Sequence, residues 1–120
     1  MKPSVRIAVL TYRRAEDIAE AIPRLVAEAG LAVAAGWDVD ILVVDNDAGA
    51  SARETVARAS ADSPVPVRYE VEPVSGIAAA RNRALDVSHD RDLLVYIDDD
   101  ERPVERWLVL LLETYLTYSS

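Results

Sequence analysis

The hydrophobic residues of the chain fall into short apolar runs that alternate with longer stretches of helical spacing. Four apolar, β-branched runs predict strands over residues 5–10, 40–44, 67–71 and 93–97. After each run, apolar residues recur every three or four positions and predict a helix. This alternation predicts an α/β fold: one three-layer α/β/α domain over residues 1–120, built around a mainly parallel four-stranded sheet.

Local signals predict where the helices begin and end. Gly30 is expected to close the first helix, and Pro23 inside it should kink the helix or cost hydrogen bonding. Residues 51–54 (Ser-Ala-Arg-Glu) have the spacing of a capping box and should open the second helix. Residues 75–76 (Ser-Gly) should open the third helix, and Pro103 fits the first position of the last one.

Three further patterns concern burial. The alternation of apolar and polar residues over 67–71 predicts a half-exposed strand near the edge of the sheet. The third helix should bury one face, made of Ile77, Ala80, Ala84 and Leu85. The last helix is apolar at every position over 107–112, which is wider than one buried stripe can use. We therefore expect this helix to self-associate, or the chain to belong to a longer protein.

Polar residues stand where each predicted strand ends. The carboxyl ends of parallel strands share one edge of a sheet, and ligands bind beyond that edge. The residues expected there are 11–13 (Thr-Tyr-Arg), 45–47 (Asp-Asn-Asp), 73–76 (Pro-Val-Ser-Gly) and 98–101 (Asp-Asp-Asp-Glu). The sequence therefore predicts a binding site assembled from four loops.

Three consecutive carboxylates follow the fourth strand. In an extended strand end, Asp98 and Asp100 point to one side and Asp99 to the other. Adjacent carboxylates repel one another unless a cation offsets them, and Mg²⁺ or Mn²⁺ prefers such oxygen ligands. The alternative is that Asp100 and Glu101 only stabilise the N-terminus of the following helix through its dipole. The cluster alone leaves both interpretations open.

The other strand ends supply recognition groups. Asp45 could accept hydrogen bonds from a nucleobase or a ribose, although an ordinary turn is the simpler explanation for it alone. The helix start at Ser75 and Gly76 offers backbone amides to an anion. Arg81 could reach the same anion or simply be solvated. Together these groups are what binding a nucleoside diphosphate through a divalent metal requires.

Composition and charge narrow the class of protein. The 120 residues carry 13 Lys+Arg and 21 Asp+Glu, a formal net charge of −8, which argues against a broad nucleic-acid-binding face. Cysteine is absent and His89 is the single histidine, so thiolate and multi-histidine metal sites are excluded. No apolar run approaches the ~20 residues of a membrane-spanning helix. We expect a cytoplasmic protein, with a peripheral position at the inner face of the membrane as the alternative.

Four stretches agree in order and spacing with a known family. They are residues 6–14 (RIAVLTYRR), 41–47 (ILVVDND), 74–84 (VSGIAAARNRA) and 94–103 (LVYIDDDERP), followed by 107–108 (WL). On these stretches the chain resembles family 2 glycosyltransferases. The resemblance implies the GT-A fold, here its Rossmann-like nucleotide-binding half. It also implies a nucleotide sugar linked to UDP, GDP or dTDP as donor, and Mn²⁺ or Mg²⁺ as cofactor.

The resemblance assigns most of the binding site. Thr11 and Tyr12 would line the base and ribose pocket. Asp45 would contact the base, and Arg81 would face the diphosphate. The complete set implied for the nucleotide sugar is Thr11, Tyr12, Arg13, Asp45, Gly76, Arg81, Asp98 and Asp99. Two positions depart from the family pattern, which usually has proline at position 10 and asparagine at position 13, where this chain has leucine and arginine.

Residues 98–100 resemble the DxD motif of the family. Asp100 would be the main metal ligand, and Asp98 or Asp99 would lie near the ribose or the metal. Asp100 and Asp98 are therefore the implied metal ligands. The catalytic residues stay unknown, because a complete GT-A domain is considerably longer, and its second half supplies the acceptor site and the base.

Other classes of protein compete with this hypothesis. A haloacid-dehalogenase-like phosphatase could place its nucleophile at 97–100, but that motif normally follows the first strand and wants threonine where Arg102 stands. A receiver domain needs an acidic pair after its first strand, which residues 10–12 do not supply. A truncated, non-catalytic nucleotide-binding module stays open. The acceptor, a glycan, lipid or protein, is not specified, and we expect no sugar transfer by these 120 residues alone.

Overall fold

Strands and helices alternate along the chain in the computed structural model, which describes residues 2–118. The elements are β1 (Ser4–Thr11), α1 (Ala15–Ala34), β2 (Asp38–Asp45), α2 (Arg53–Ser60), β3 (Val67–Val71), α3 (Ile77–Asp86), β4 (Leu93–Asp98) and α4 (Trp107–Tyr118). Every predicted strand and helix is therefore present. Residues 1, 119 and 120 of the predicted domain lie outside the described residues.

The four strands form one parallel sheet in the order β3-β2-β1-β4. The register places Thr11 of β1 opposite Asp45 of β2, and Leu10 of β1 opposite Asp98 of β4. Asp45 in turn lies opposite Val71 of β3. The carboxyl ends of all four strands therefore meet at one edge. β3 is an outer strand of the sheet and is half-exposed, as the sequence predicts. β4 is the outer strand at the opposite end of the strand order.

Helices cover both faces of the sheet, which confirms the predicted three layers. α1, α2 and α4 pack on one face, over side chains that include Ile7 and Val43. Among the described residues, α3 is the helix that covers the other face, over Leu42 and Val44. All four of these side chains are completely buried. Each contributes about 1.5–3 kcal/mol relative to an exposed side chain, which accounts for the continuous apolar runs in β1 and β2.

The first helix extends beyond its predicted end. α1 continues through Pro23 and Gly30, so the prediction that Gly30 closes the helix is wrong. Ala32, beyond that glycine, is fully buried, and its packing outweighs the ~1 kcal/mol cost of an interior glycine. The chain turns instead at Gly36, whose φ of 99° favours glycine. There the N–H groups of Gly36 and Trp37 donate to carbonyls of the last helical turn.

The second helix is capped from outside its own sequence. α2 begins at Arg53 and its N-cap residue, Ala52, makes no side-chain capping hydrogen bond, so the predicted capping box at 51–54 is wrong. The N–H of Ala52 donates to Asp45 Oδ2 at 3.0 Å. A carboxylate at the end of β2 thus takes over the role that the sequence assigns to a local residue.

The last helix begins later than the sequence predicts. α4 starts at Trp107, so Pro103 is not its first residue. The carboxylate of Glu28 in α1 accepts the N–H groups of Arg106 and Leu108, both at 3.1 Å. A carboxylate in this position satisfies helix N–H groups that have no partner within the helix and complements the helix dipole.

Two predicted apolar faces are only partly buried. In α3, Ala80 and Ala84 pack against the sheet, whereas Ile77 and Leu85 are exposed, so the predicted buried face of α3 is too wide. The excess apolar surface of α4 is present. One side of that helix is buried, and its exposed large hydrophobic residues are Leu110, Leu111, Tyr115, Leu116 and Tyr118. Self-association through this surface stays a prediction. Although α4 exposes this apolar surface, no helix within residues 2–118 combines the length and the hydropathy needed to cross a bilayer.

Candidate nucleotide-binding site

The carboxyl edge of the sheet opens into a cavity of about 420 Å³. Its lining comes from the ends of β1, β2 and β4 and from the start of α3: Leu10, Thr11, Tyr12, Arg14, Asn46, Ser75, Gly76, Ile77, Ala80, Asp98, Asp99 and Asp100. The structure thus brings together six residues of the predicted site, namely Thr11, Tyr12, Gly76 and the aspartates 98–100. The three other predicted residues, at positions 13, 45 and 81, lie outside this lining.

The three aspartates alternate in exposure as the sequence predicts. Asp98 and Asp100 are exposed, whereas Asp99 is only 4% exposed. Thr11 Oγ1 donates to Asp99 Oδ2 at 2.8 Å. Burial raises the pKa of Asp99, and the hydrogen bond from Thr11 partly opposes that rise. Asp99 is therefore held inside the protein, and its two neighbours are left facing solvent.

The competing explanation of the acidic cluster is wrong. Asp100 and Glu101 cannot stabilise the first turn of the last helix, because α4 does not begin until Trp107. Glu101 has a different partner, since its Oε1 accepts the backbone N–H of Asp98 at 2.8 Å. This contact anchors the backbone of the cluster and leaves the exposed Asp98 carboxylate available to a ligand.

Arg14 lies over the acidic cluster, and the sequence analysis did not single it out. Its Nη1 is 3.2 Å from Asp100 Oδ2 and 3.4 Å from Asp99 Oδ1. The hydrogen bond with Asp100, followed by the charge of Asp99, raises the pKa of Arg14. One signal was available in the sequence, because a cation at the start of a helix opposes the helix dipole and needs another explanation.

The acidic cluster fits a divalent cation that shares its ligands with a substrate. Within the described part of the chain, no group of three or more His, Cys, Asp or Glu residues could hold a metal ion. Mg²⁺, however, is usually bound by one or two carboxylates together with substrate phosphates and water. Asp98 and Asp100 supply two exposed carboxylates on the same cavity. Their number and chemistry match that kind of site.

The start of α3 supplies an anion-binding group to the same cavity. Gly76 is the N-cap of α3, has a φ of 121° and makes no side-chain capping hydrogen bond. A side chain at this φ would be strained, so glycine is required. The N–H groups of the first helical turn have no partner within the helix, and the positive end of the helix dipole favours negative charge.

Asn46 fixes the loop that leads into α3, and sequence reasoning did not assign it. Its Nδ2 donates to the carbonyls of Glu72 and Val74, at 2.9 and 2.8 Å. Its Oδ1 accepts the N–H of Gly76 at 3.0 Å. The position of Asn46 at the end of β2 was the available signal, but only the folded loop shows which groups it meets.

Asp45 is buried at the end of β2 and does not line the cavity. The side chain is fully buried and accepts three hydrogen bonds, from Tyr69 Oη (2.6 Å) and from the N–H groups of Ala52 (3.0 Å) and Asp47 (3.2 Å). Burial, followed by the bond to Asp45, raises the pKa of Tyr69 above its ordinary value. In this structure Asp45 joins β2, β3 and α2, and its contact with a base stays a prediction.

Two predicted arginines also lie outside the cavity lining. The Arg13 guanidinium is 5.2 Å from the centre of the Tyr12 ring and 3.7 Å from Asp47 Oδ2. Its backbone has a φ of 51°, a conformation that asparagine tolerates better than arginine. The Arg81 guanidinium is 5.7 Å from the centre of the Tyr96 ring. The predicted contacts of both arginines with a nucleotide sugar stay predictions.

A parallel α/β sheet with a cavity at its carboxyl edge is the architecture of Rossmann-like domains. The sequence model described as Glycosyl transferase family 2 matches residues 6–118. The chain belongs to glycosyl transferase family 2, and the resemblance seen in the sequence is confirmed. The match spans every residue that lines the cavity.

A curated relative is considerably longer than this chain. The chain is 40% identical over 113 residues to the succinoglycan biosynthesis protein ExoM of Rhizobium meliloti (strain 1021). The alignment covers 94% of this chain and 35% of ExoM. The chain therefore spans about a third of the length of that relative.

Two solved structures share the fold. The mannosyltransferase PcManGT from Pyrobaculum calidifontis, solved in complex with GDP-Man and Mn²⁺, superposes with a TM-score of 0.70 at 23% identity, over 88% of this chain and 30% of that one. The mannosyl-3-phosphoglycerate synthase from Rubrobacter xylanophilus superposes with a TM-score of 0.64 at 22% identity, over 97% of this chain and 37% of that one. These similarities confirm the predicted GT-A fold. Together with the family match, they displace the haloacid-dehalogenase alternative.

Proposed function

We propose that this chain binds a nucleoside-diphosphate sugar together with Mn²⁺ or Mg²⁺, as the donor-binding part of a glycosyltransferase that transfers the sugar to an acceptor hydroxyl. The observation that carries the proposal is that two exposed carboxylates and the start of α3 line one cavity. Membership of glycosyl transferase family 2 supports it. So does the similarity to a mannosyltransferase solved with GDP-Man and Mn²⁺.

In this proposal, the acidic cluster binds the metal and the start of α3 binds the diphosphate. Asp100, with Asp98, holds the metal as the DxD motif of the family. A divalent cation bound there offsets the charge that develops on the departing diphosphate. Thr11 fixes the buried Asp99 between these two carboxylates, so that they keep their positions on the cavity wall.

The start of α3 binds the diphosphate. The unpaired N–H groups of its first turn donate to phosphate oxygens, and Gly76 lets the backbone approach them closely. The exposed Arg81, on the same helix but outside the cavity lining, faces the diphosphate. Thr11 and Tyr12 line the part of the cavity that takes the ribose and the base.

The acceptor and the base that deprotonates it complete the reaction. An attacking hydroxyl needs a general base near the reacting carbon. We propose that donor binding is the part of the reaction that residues 2–118 perform, because the polar groups of the cavity suit a nucleotide and a metal. The acceptor of the whole protein is a glycan, a lipid or a protein hydroxyl.

We also propose that the chain self-associates through the exposed apolar surface of α4. Sedimentation at micromolar concentration tests this expectation, and a monomer would contradict it.

Calorimetric titration tests the proposed function. The chain is titrated with UDP-, GDP- and dTDP-sugars, each with and without Mn²⁺, as wild type, Asp100→Ala and Asp62→Ala. Asp62 is an exposed carboxylate in the turn after α2 and controls for the change in net charge. We expect manganese to tighten the binding of one donor class in the wild type and in Asp62→Ala, and to have no effect in Asp100→Ala. Absence of nucleotide binding by the wild type would refute the proposal.

A further inference from the structure

Arg14 occupies an oxygen atom of Asp100 that a metal at the acidic cluster would need. Its Nη1 lies 3.2 Å from Asp100 Oδ2 and 3.4 Å from Asp99 Oδ1. Asp99 has a second partner in Thr11, at 2.8 Å, and is buried. Within residues 2–118, the ion pair of the exposed Asp100 side chain is with Arg14. Arg14 is thus the protein's own cation at the carboxylate proposed as the main metal ligand.

Neither helix capping nor core packing explains this arginine. Arg14 is the N-cap of α1, but its side chain makes no capping hydrogen bond. A positive charge at this end of a helix opposes the helix dipole. The side chain is half-exposed, so it does not support the core, and its Nη1 approaches Asp17 of the first turn only to 3.8 Å. Its remaining role is to offset the charge of the adjacent carboxylates of Asp99 and Asp100.

We infer that Arg14 is an exchangeable counter-cation. It neutralises Asp100 until a divalent metal binds that carboxylate, and the guanidinium of Arg14 is then released. The inference rests on the proposed function. A guanidinium and a metal cannot share one lone pair of Asp100 Oδ2, and two cations at this separation repel each other. Because a half-exposed ion pair is weak, the exchange costs little.

The released guanidinium stays on the same cavity, where it can pair with the phosphate oxygens of the donor. Arg14 therefore has two opposite effects. It weakens the binding of metal alone, because the metal must displace it. It strengthens the mutual dependence of metal and nucleotide, because the diphosphate offers the displaced arginine a new partner. The result is that metal and donor bind together rather than separately.

Manganese binding tests this inference without any transfer reaction. The electron paramagnetic resonance signal of free Mn²⁺ is titrated with the whole chain at low salt, first without nucleotide and then with GDP or UDP. Arg14→Gln removes the charge, Arg14→Met repeats that test with an apolar side chain, and Arg14→Lys keeps the charge. Arg58→Gln, at an exposed position of α2, changes the net charge equally outside the cavity lining. Circular dichroism melts establish that each variant is folded.

We expect Arg14→Gln and Arg14→Met to bind manganese alone about three- to tenfold more tightly than the wild type. Arg14→Lys and Arg58→Gln should stay within about twofold. The factor by which GDP or UDP tightens manganese binding should fall in the neutral variants. If the wild type binds manganese and the neutral variants bind no more tightly, the counter-cation inference is overturned and the proposed function stands. If the wild type and the neutral variants bind no manganese with either nucleotide, both are overturned.

Discussion

The strands of the sheet begin at one edge, here called the amino edge, and end at the carboxyl edge. Each of these edges carries arginines and aspartates, but the two clusters are built differently. At the amino edge, Arg6 of β1 forms a two-pronged ion pair with Asp40 of β2, at 2.8 and 2.9 Å. Only 3% of the Arg6 side chain and 8% of the Asp40 side chain are exposed. Arg91 adds a second ion pair to Asp40 at 2.9 Å, and Arg6 also donates to the carbonyl of Val87 at 2.8 Å. This cluster joins β1, β2 and the connection between α3 and β4.

At the carboxyl edge, the same residue types are left open. Arg14 meets Asp100 through a single nitrogen, with 49% of one side chain and 58% of the other exposed. Residue type therefore does not separate a structural cluster from a candidate binding site. Burial and the hydrogen bonding of the central arginine separate them. Arg6 is buried and donates from Nε, Nη1 and Nη2, so its charge is costly to disturb, whereas an exposed charge can exchange partners.

Disrupting the amino edge should give the largest effect on stability. Asp40→Ala leaves Arg6 and Arg91 close together without their shared carboxylate, so we expect a loss of about 3–5 kcal/mol in the free energy of unfolding. Urea unfolding at pH 7 measures it. Asp38→Ala is the matched control, because Asp38 pairs with the same Arg91 at 3.0 Å but is 73% exposed. It should cost at most about 1 kcal/mol. Equal losses in the two variants would contradict the comparison.

Substitutions at the carboxyl edge should instead change the affinity for the ligand. If Arg81 faces the diphosphate, Arg81→Ala removes a charged hydrogen bond worth about 1.5–3 kcal/mol, or roughly tenfold or more in affinity for UDP or GDP. Affinity for the bare nucleoside should change far less. Calorimetric titration with nucleoside and diphosphate compares the two. Equal losses for both ligands would mean that Arg81 supports only the fold.

A smaller effect should come from the backbone at the end of β1. Arg13 has a φ of 51°, and left-handed backbone costs most residues about 1–2 kcal/mol. Arg13→Asn introduces a residue that tolerates this conformation and should raise the free energy of unfolding by up to about 1 kcal/mol. Arg24→Asn, at an exposed position inside α1, should lower it, because asparagine is a poor helix former. A destabilised Arg13→Asn variant would argue against strain at this position.

The smallest effect should be a pH dependence at the loop after β2. The Ser51 hydroxyl, and then the backbone N–H of Gly49, lower the pKa of Asp47 below its ordinary value of 3.8. A carboxyl whose pKa is lower in the folded state stabilises the fold above its unfolded pKa, and this contribution is lost as the pH falls through the folded pKa. Wild type should therefore exceed Asp47→Asn in stability at pH 7, and the difference should shrink towards pH 3. A difference that is constant between these pH values would contradict this role of Asp47.

The order of strands and helices could be predicted because it depends on local composition. A strand that is covered on both faces, such as β1 or β2, must be a nearly continuous apolar run. The start of α3 at Gly76 was also predicted, but the caps of α2 and α4 could not be. α4 is capped by Glu28 and α2 by Asp45, so each cap comes from another part of the chain. Sequence spacing does not contain such contacts.

The residues of the candidate site also fall into two groups. Some could be predicted from the sequence, and others depend on contacts that form after folding. Thr11, Gly76 and the aspartates at 98–100 could be predicted, because parallel strands bring their carboxyl ends to one edge. Asn46 and Arg14 could not, because their importance lies in the partners they meet after folding. A strand-end asparagine and a helix-start arginine have several ordinary explanations until those partners are known.

Amide chemical-shift mapping tests most directly the claim that the carboxyl edge is the binding site and the amino edge is structural. A ¹⁵N-labelled sample of the chain is titrated with UDP or GDP in the presence of Mg²⁺. We predict shifts concentrated at Thr11, Gly76 and residues 98–100, with the amides of Arg6 and Asp40 unmoved. Shifts centred on Arg6 and Asp40, or no shifts with either nucleotide, would contradict it.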